Sequence, residues 1–268
     1  MTRPFRFGVV ASLGTDVPTW RDHVRRIADY GYSTLLVADY PLTQPAPGPM
    51  LATAAALTDL RVGTWVYASP LRPPWLTAWE AHSLSLLTDG RFEMGIGTGR
   101  PGIEDELRDK GVPGVPPPNE RLAQVRETVE RLRDLDGPDQ HTPVAMAVYG
   151  PKARALAAEL ADTVTFALGD QSRADVERLA HDFRTTGKVE LALAVPVIGD
   201  TVAPNMAPSD TDPAALRAAD ALTVLPDDPA AAIEEIQRRR EEIGFSYFVF
   251  GAAFAERFAP VVAELAGR

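Results

Sequence analysis

Short apolar runs alternate with amphipathic stretches from one end of the chain to the other, the pattern of repeated β-α units around parallel strands. The runs predict eight strands, at residues 5–10, 34–38, 62–68, 92–96, 144–147, 163–167, 189–197 and 245–250. Most are continuous rather than alternating, as strands buried on both faces require. The stretches between them carry the other period. Leu122, Val125, Val129 and Leu132 stand three or four apart and form an apolar stripe on a helix that packs against the strands. Ala153, Leu156, Ala157 and Leu160 repeat the device. Asp228 followed by Pro229 reads as an N-cap with proline in the first turn, Ile233, Ile236 and Ile243 supply the inward face, and Gly244 ends the helix. Eight β-α units predict an α/β chain closed into a (β/α)8 barrel.

Two stretches break the repeat, residues 100–118 and 199–226, both rich in proline, glycine or aspartate. Both follow strands, which puts them on the face where barrel enzymes keep their chemistry. They are expected to be loops that shape or cover a site; for the second, a plain surface insertion is the competing reading.

Size and charge narrow the partners. A chain of 268 residues matches one barrel, so residues 1–268 are expected to form a single domain. The net charge of −10 supplies no general attraction for polyanions, which excludes unspecific nucleic-acid binding. An acidic ligand must therefore meet a local basic site. The absence of cysteine removes disulfides, thiolate ligands and thiol nucleophiles together. His23, His82, His141 and His181 lack any ligand spacing, so no metal site is expected, and His82 reads as a packed or capped helix residue. Trp65, Trp75 and Trp79 read as core and helix-packing residues. With no apolar leader and no run long enough to cross a bilayer, the cytoplasm is the expected compartment and no membrane contact is expected.

Candidate chemistry clusters at strand ends. Gly95, Gly97 and Gly99 follow an apolar strand, where missing side chains let backbone N–H groups approach an anion, and Thr98 adds a hydroxyl; a tight β-to-α turn explains the same glycines. Gly150, Pro151 and Lys152 stand between a strand and a helix, so first-turn amides and a lysine converge on one spot suited to phosphate, with Arg154 available to assist. A solvated Lys152 is the plain alternative. Asp39 ends the second strand and points to the rim, or caps its own backbone. Arg72 serves either a ligand contact or a structural ion pair.

Residues 62–99 resemble the signature region of luciferase-like monooxygenases. They run in order through a strand, the Arg72-Pro73 turn, a long helix, the Asp89-Gly90-Arg91 turn, and a strand ending in Gly95-Ile96-Gly97-Thr98-Gly99. Residues 149–166, opening with Tyr149-Gly150-Pro151-Lys152, look like the cofactor-phosphate loop and helix of that family's deazaflavin-using branch, and residues 241–250 and 259–267 add a third match. The resemblance implies a TIM barrel that binds coenzyme F420, favoured by the Gly-Pro-Lys loop, or FMN, at its mouth. It implies cofactor contacts at Ala68, Ser69, Gly97, Thr98, Gly99, Tyr149, Gly150, Pro151 and Lys152, with a non-prolyl cis peptide near Ala68–Ser69. Tyr40, Asp39 and Arg72 are the implied catalytic group.

Tyr40 stands where deazaflavin relatives carry histidine, and Arg100 where they carry glutamate, so a histidine-base mechanism does not transfer. A tyrosine is a hydrogen-bond or proton donor and a weak base at neutral pH. Hydride transfer between F420 and a small organic substrate is the expected reaction. FMN-dependent monooxygenation with O2 and a non-catalytic cofactor-binding barrel are the alternatives. The resemblance also implies a homodimer.

Overall fold

The structure, a computed structural model, describes residues 3–14, 16–41, 43–100, 102–111 and 114–268. Strands β1 (Arg6–Val10), β2 (Thr34–Val37) and β3 (Arg61–Thr64) alternate with helices α1 (Val17–Asp29) and α2 (Pro47–Leu57). Strand β4 (Tyr67–Ala68) resumes the line of β3, and α3 (Pro74–Leu87) leads to β5 (Phe92–Gly97). Helices α4 (Ile103–Asp109) and α5 (Pro118–Asp136) precede β6 (Val144–Val148), followed by α6 (Pro151–Leu160), β7 (Thr163–Phe166), α7 (Arg173–Thr186) and β8 (Glu190–Val195). Next come the short β9 (Val197–Ile198), β10 (Thr201–Val202), α8 (Pro213–Ala218) and β11 (Val224–Leu225). The last unit is α9 (Pro229–Glu242), β12 (Phe245–Gly251) and α10 (Ala259–Leu265).

The main sheet runs β3-β2-β1-β12-β8-β7-β6-β5-β4, all parallel, and β3 pairs with β5 at Val62–Phe92 to close the ring. With β3 and β4 counted as one interrupted strand, this is the (β/α)8 TIM barrel that the pattern predicts. Alternation sets what each strand buries. Phe7, Val9, Leu35, Val37, Phe248 and Phe250 face the helices and belong to the large core, whereas Val10, Leu36, Ala38, Ala192, Tyr247 and Val249 form a separate inner cluster.

Two predicted strands are split. The run at 62–68 is interrupted at Trp65 and Val66, where the peptide bond is cis. The cis bond therefore lies three residues before the expected Ala68–Ser69; Ala68 ends β4 and Ser69 opens a 3-10 turn, Ser69–Leu71. The run at 189–197 breaks at Pro196, which has no N–H for the ladder.

The stretches expected to be loops carry structure of their own. Residues 100–118 contain α4, with residues 101, 112 and 113 outside the described set. Residues 199–226 contain β10, α8 and β11, and pair with β9 into a second, three-stranded sheet. That small sheet sits on the barrel mouth. Ala203 packs so close to Gly251 that a Cβ on Gly251 would stand 2.5 Å from its methyl carbon. Below it, the fully buried Arg239 of α9 donates to the Leu222 carbonyl at 2.7 Å, the Val224 carbonyl at 2.6 Å and Glu235 Oε1 at 2.7 Å. Burial pulls the Arg239 guanidinium down to about 10. Burial alone would raise the Glu235 carboxyl, but Arg239 and Arg173 overcome that and hold it at about 2. Among the described residues, no helix is long and apolar enough to cross a membrane.

Candidate active site

The C-terminal ends of the barrel strands surround a cavity of about 940 Å³. Its walls come from the C-terminal ends of five strands and the segments after them: Ala38, Asp39 and Tyr40 after β2; Trp65 and Val66 between β3 and β4; Gly97 at the end of β5 with Thr98, Gly99 and Arg100 after it; Ala147 through Ala153 around the end of β6; and Ala167 after β7. Ile103 and Glu104 of α4 and Arg121 and Leu122 of α5 complete it. The two turns proposed from sequence to receive anions thus line one space at one end of the barrel.

The glycine turn is built differently from expectation. Gly95 lies within β5, and its N–H donates to Thr64 Oγ1 at 2.9 Å. A Cβ there would stand 1.9 Å from the Thr64 carbonyl oxygen. Its role is therefore close strand packing, and the turn proper begins at Gly97. Gly99, at φ +81°, takes the left-handed backbone that glycine tolerates.

At the second turn, Gly150 is the N-cap of α6 and gives it no side-chain cap. The helices opening at Asp16, Ser172, Asp212 and Asp228 all have a side chain accepting from a first-turn N–H. Among the described residues the first N–H groups of α6, like those of α2, α3, α5 and α10, have no side-chain acceptor, and a helix N-terminus carries partial positive charge. Lys152 is exposed on the cavity wall beside them. Arg154 turns back, donating to the Tyr149 carbonyl at 2.9 Å, and is not among the lining residues.

The Asp39 side chain is 5% exposed, and both its oxygens are engaged: Arg72 Nε donates to Oδ2 at 3.0 Å and Nη2 to Oδ1 at 3.2 Å. The Ala68 N–H adds a contact to Oδ2 at 3.3 Å. Arg72 also donates to Glu80 Oε2 at 2.9 Å and stacks over the Tyr67 ring at 4.4 Å. Burial and then Glu80 push the Tyr67 phenol well above its ordinary range. Arg72 itself lies behind the wall, not on it. Ser69 is also set back, buried, with its hydroxyl 3.4 Å from the Arg121 carbonyl. Tyr40 lines the cavity and donates its hydroxyl to the Asn205 carbonyl at 2.9 Å, which ties the rim to the small sheet.

Several wall residues escape the sequence reading. Leu122 lines the cavity, beside Arg121, which pairs with Glu104 at 3.0 Å. Trp65, in the interruption between β3 and β4, is a wall residue edge-on to Tyr247, at 6.2 Å and 71°. Its position at the C-terminal end of a barrel strand was the available signal. Trp75 and Trp79 are 55% and 57% exposed, since the face of α3 that packs inward carries Thr77, Ala78, Ala81 and Leu84 instead. His82 pairs with the buried Asp136 at 2.9 Å, away from the cavity.

The donor set suits an anionic, flat-ringed cofactor. One end offers unpaired amides and a lysine, and the walls nearer the lumen are Trp65, Val66, Ala147 and Ala167. A closed parallel barrel with such a cavity at its C-terminal rim has the architecture of barrel proteins that take ligands at that end.

The chain belongs to the luciferase-like monooxygenase family, whose model matches residues 3–223. It is accordingly an enzyme of the oxidoreductase and monooxygenase type. It is 27% identical over 277 residues to an F420-dependent glucose-6-phosphate dehydrogenase of Beutenbergia cavernae, a match covering 80% of this chain and 81% of that one. It is 31% identical over 135 residues to 4-hydroxyprotoasukamycin monooxygenase of Streptomyces nodosus subsp. asukaensis, over 47% of this chain and only 36% of the relative. An F420-dependent secondary alcohol dehydrogenase, solved with an F420-acetone adduct, shares the fold at TM-score 0.72 and 18% identity, covering 98% of this chain and 99% of that one.

Proposed function

We propose that the protein is an F420-dependent oxidoreductase that moves a hydride between the deazaflavin and a small organic substrate. The observation that carries this reading is the joint lining of one cavity by the turn at Gly97, Thr98 and Gly99 and by the uncapped start of α6 with Lys152. The F420-dependent relative matched over 80% of the chain supports the choice of cofactor.

In this reading the first-turn amides of α6 and Lys152 hold the cofactor phosphate, with Tyr149, Gly150 and Pro151 shaping the loop. Ala68, Gly97, Thr98 and Gly99 flank the ring, and Ser69 holds Arg121 in place. The cofactor, when bound, supplies the carbon that accepts or donates hydride. The chain's own part is positioning and the exclusion of water. Asp39 and Arg72 are positioning residues: with both carboxylate oxygens engaged, Asp39 anchors the Ala68 N–H rather than accepting a proton. Tyr40 orients the substrate or donates a proton to it from the cavity wall. A second reading, monooxygenation with FMN and O2, draws on the 31% identity to a monooxygenase.

Titration of apoprotein with F420 and with FMN separates the two. Oxidised flavin gives two visible bands and deazaflavin one violet band. Preferential binding of F420, weakened about tenfold by Lys152→Ala, is the expected result. Binding of FMN alone transfers the assignment to the second reading.

A homodimer belongs to the same proposal. Helix α2 carries no charged residue, and the one in α3, Glu80, turns inward to Tyr67 and Arg72. Trp75, Trp79, Leu86 and Leu87 stay exposed on α3. In a chain of net charge −10, this neutral apolar face is where a second copy approaches with least repulsion. Sedimentation velocity should give a dimer that Trp79→Lys converts to monomer; a monomeric parent protein removes the proposal.

A further inference from the structure

Behind the cavity wall, one network of side chains runs from the rim to the outside of the barrel. Asp39 lines the cavity, and its carboxylate accepts the Ala68 N–H at 3.3 Å. Arg72 grips that carboxylate through Nε and Nη2 and gives its remaining nitrogen, Nη1, to Glu80 Oε2 at 2.9 Å. The other Glu80 oxygen accepts from the Tyr67 hydroxyl at 3.0 Å, and Tyr67 precedes Ala68 in β4. Two carboxylates thus fix the plane of one guanidinium, and that plane sets where Asp39 and Ala68 stand.

The outer end of the network lies between α2 and α3. The Glu80 side chain is 25% exposed, against 16% for Arg72 and 5% for Asp39, so water reaches the network from that end. Gly48 of α2 is buried against it, and any side chain at that position would collide with the Glu80 carboxylate. A shift of α2 against α3 therefore moves Glu80. Glu80 is not among the residues that line the cavity, so it reaches the wall only through Arg72 and Tyr67.

We infer that Glu80 is a positioning residue that links the α2–α3 face to the cavity wall, so that a second copy covering that face tightens ligand binding in the cavity. The inference rests on the readings that the cavity takes the cofactor and that this face takes a second copy. Covering Glu80 removes the water that competes for its carboxylate, and charge-assisted hydrogen bonds strengthen as the surrounding dielectric falls. Arg72 is then held more firmly, and with it Asp39 and the Ala68 segment. Such a link is a coupling free energy and is reciprocal: the factor that dimerisation adds to cofactor affinity, the cofactor adds to dimer affinity.

The test is sedimentation velocity of the parent protein over a range of concentrations, with and without F420, beside F420 titration of the dimer and of the Trp79→Lys monomer; FMN replaces F420 if the protein takes that instead. The cofactor should tighten the dimer about fivefold and bind the dimer about fivefold more tightly than the monomer. Glu80→Gln keeps the size of the side chain but loses its charge and one acceptor. It should remain dimeric and lose both effects, whereas a merely structural Glu80 would change stability and leave the coupling intact. Hydrogen exchange adds a readout that needs no cofactor. The Ala68 N–H should exchange about fivefold more slowly in the parent dimer than in Trp79→Lys, and no more slowly in the Glu80→Gln dimer. A monomeric parent overturns the inference, as does coupling that survives in Glu80→Gln. Protection of Ala68 in a protein that takes neither F420 nor FMN sinks the cofactor assignment and leaves the link standing. Equal cofactor affinity of dimer and monomer, with unaltered exchange at Ala68, sinks the link alone.

Discussion

The two ends of the barrel lumen use the same kind of inward position for opposite purposes. At the end where the strands begin, large polar side chains fill the space: Arg6 donates to Glu93 and to Glu190, each at 2.8 Å, and its guanidinium lies 3.6 Å over the Tyr247 ring. Tyr247 donates to Glu93 at 2.9 Å and Ser246 to Glu190 at 3.0 Å. At the end where the strands finish, the inward residues are Ala38, Gly97, Ala147 and Ala194, and the unfilled space is two adjoining chambers of about 940 and 240 Å³, the smaller lined by Thr165 and Ala194 and by no charged side chain among the described residues. Side-chain volume at successive layers of one lumen thus decides where the barrel is solid and where it receives ligand. The solid end stabilises; the hollow end binds.

Electrostatics divides the same way. Burial pushes the Tyr247 phenol well above its ordinary range, and Glu93 pushes it further. For Arg6, Glu93, Tyr247 and Glu190 more than offset the burial that would lower it, so it stays charged. At the solid end Arg6, Glu93 and Glu190 are paired with one another inside the protein. At the hollow end, the amides of α6 and Lys152 face a cavity.

The sharpest way to break this contrast is Glu93→Ala, which leaves Arg6 short of a buried partner and should cost about 3–5 kcal/mol in chemical denaturation. Cofactor affinity of the folded protein should change less than about threefold, because the two ends share no group. A large loss of affinity at unchanged stability would show that the ends are not independent. Removing Arg72, which fastens Asp39 at the rim, should cost about 2 kcal/mol or more, and Arg72→Lys should not restore it because lysine lacks the paired donors. If Arg72→Ala changes the Kd for substrate without changing stability, Arg72 contacts ligand directly.

The clamp beneath the small sheet gives a pH test. Glu235 is held at about 2 against an ordinary 4.5, so its contribution is full above about 4.5 and is lost as pH falls towards about 2. Denaturation midpoints should fall through that window, and Glu235→Gln should flatten the fall; an equal slope in the variant would deny the clamp this role. The smallest effect is expected for Tyr40→Phe, which removes one hydrogen bond to Asn205, worth about 1 kcal/mol. Turnover should drop about fivefold with cofactor binding unchanged. Unchanged turnover would free Tyr40 of any part in the reaction.

Local pattern determined the element list. Apolar runs located the barrel strands to within a residue or two, apart from the breaks at Trp65–Val66 and Pro196, because strands buried on both faces are mostly apolar. The cap at Asp228 was legible for a similar reason: its side chain accepts from Ala231 N–H at 2.9 Å, three residues away. The turns at Gly97 and Gly150 were legible as rim features because glycine and proline punctuate strand ends. Trp65, Arg121, Thr165 and Ala194 were not legible as walls. Each sits in a segment whose own pattern is satisfied by packing, and only closure of the ring brings them together.

The sequence by itself therefore determined an eight-fold β-α repeat, its caps and its candidate anion turns, since these depend on residues a few positions apart. The tertiary structure alone decided that Arg72 holds Asp39 from behind the wall, that Trp75 and Trp79 lie outside, and that a chamber without charge adjoins one with Lys152. Those outcomes depend on distances between residues tens of positions apart, which ring closure sets and no local pattern encodes.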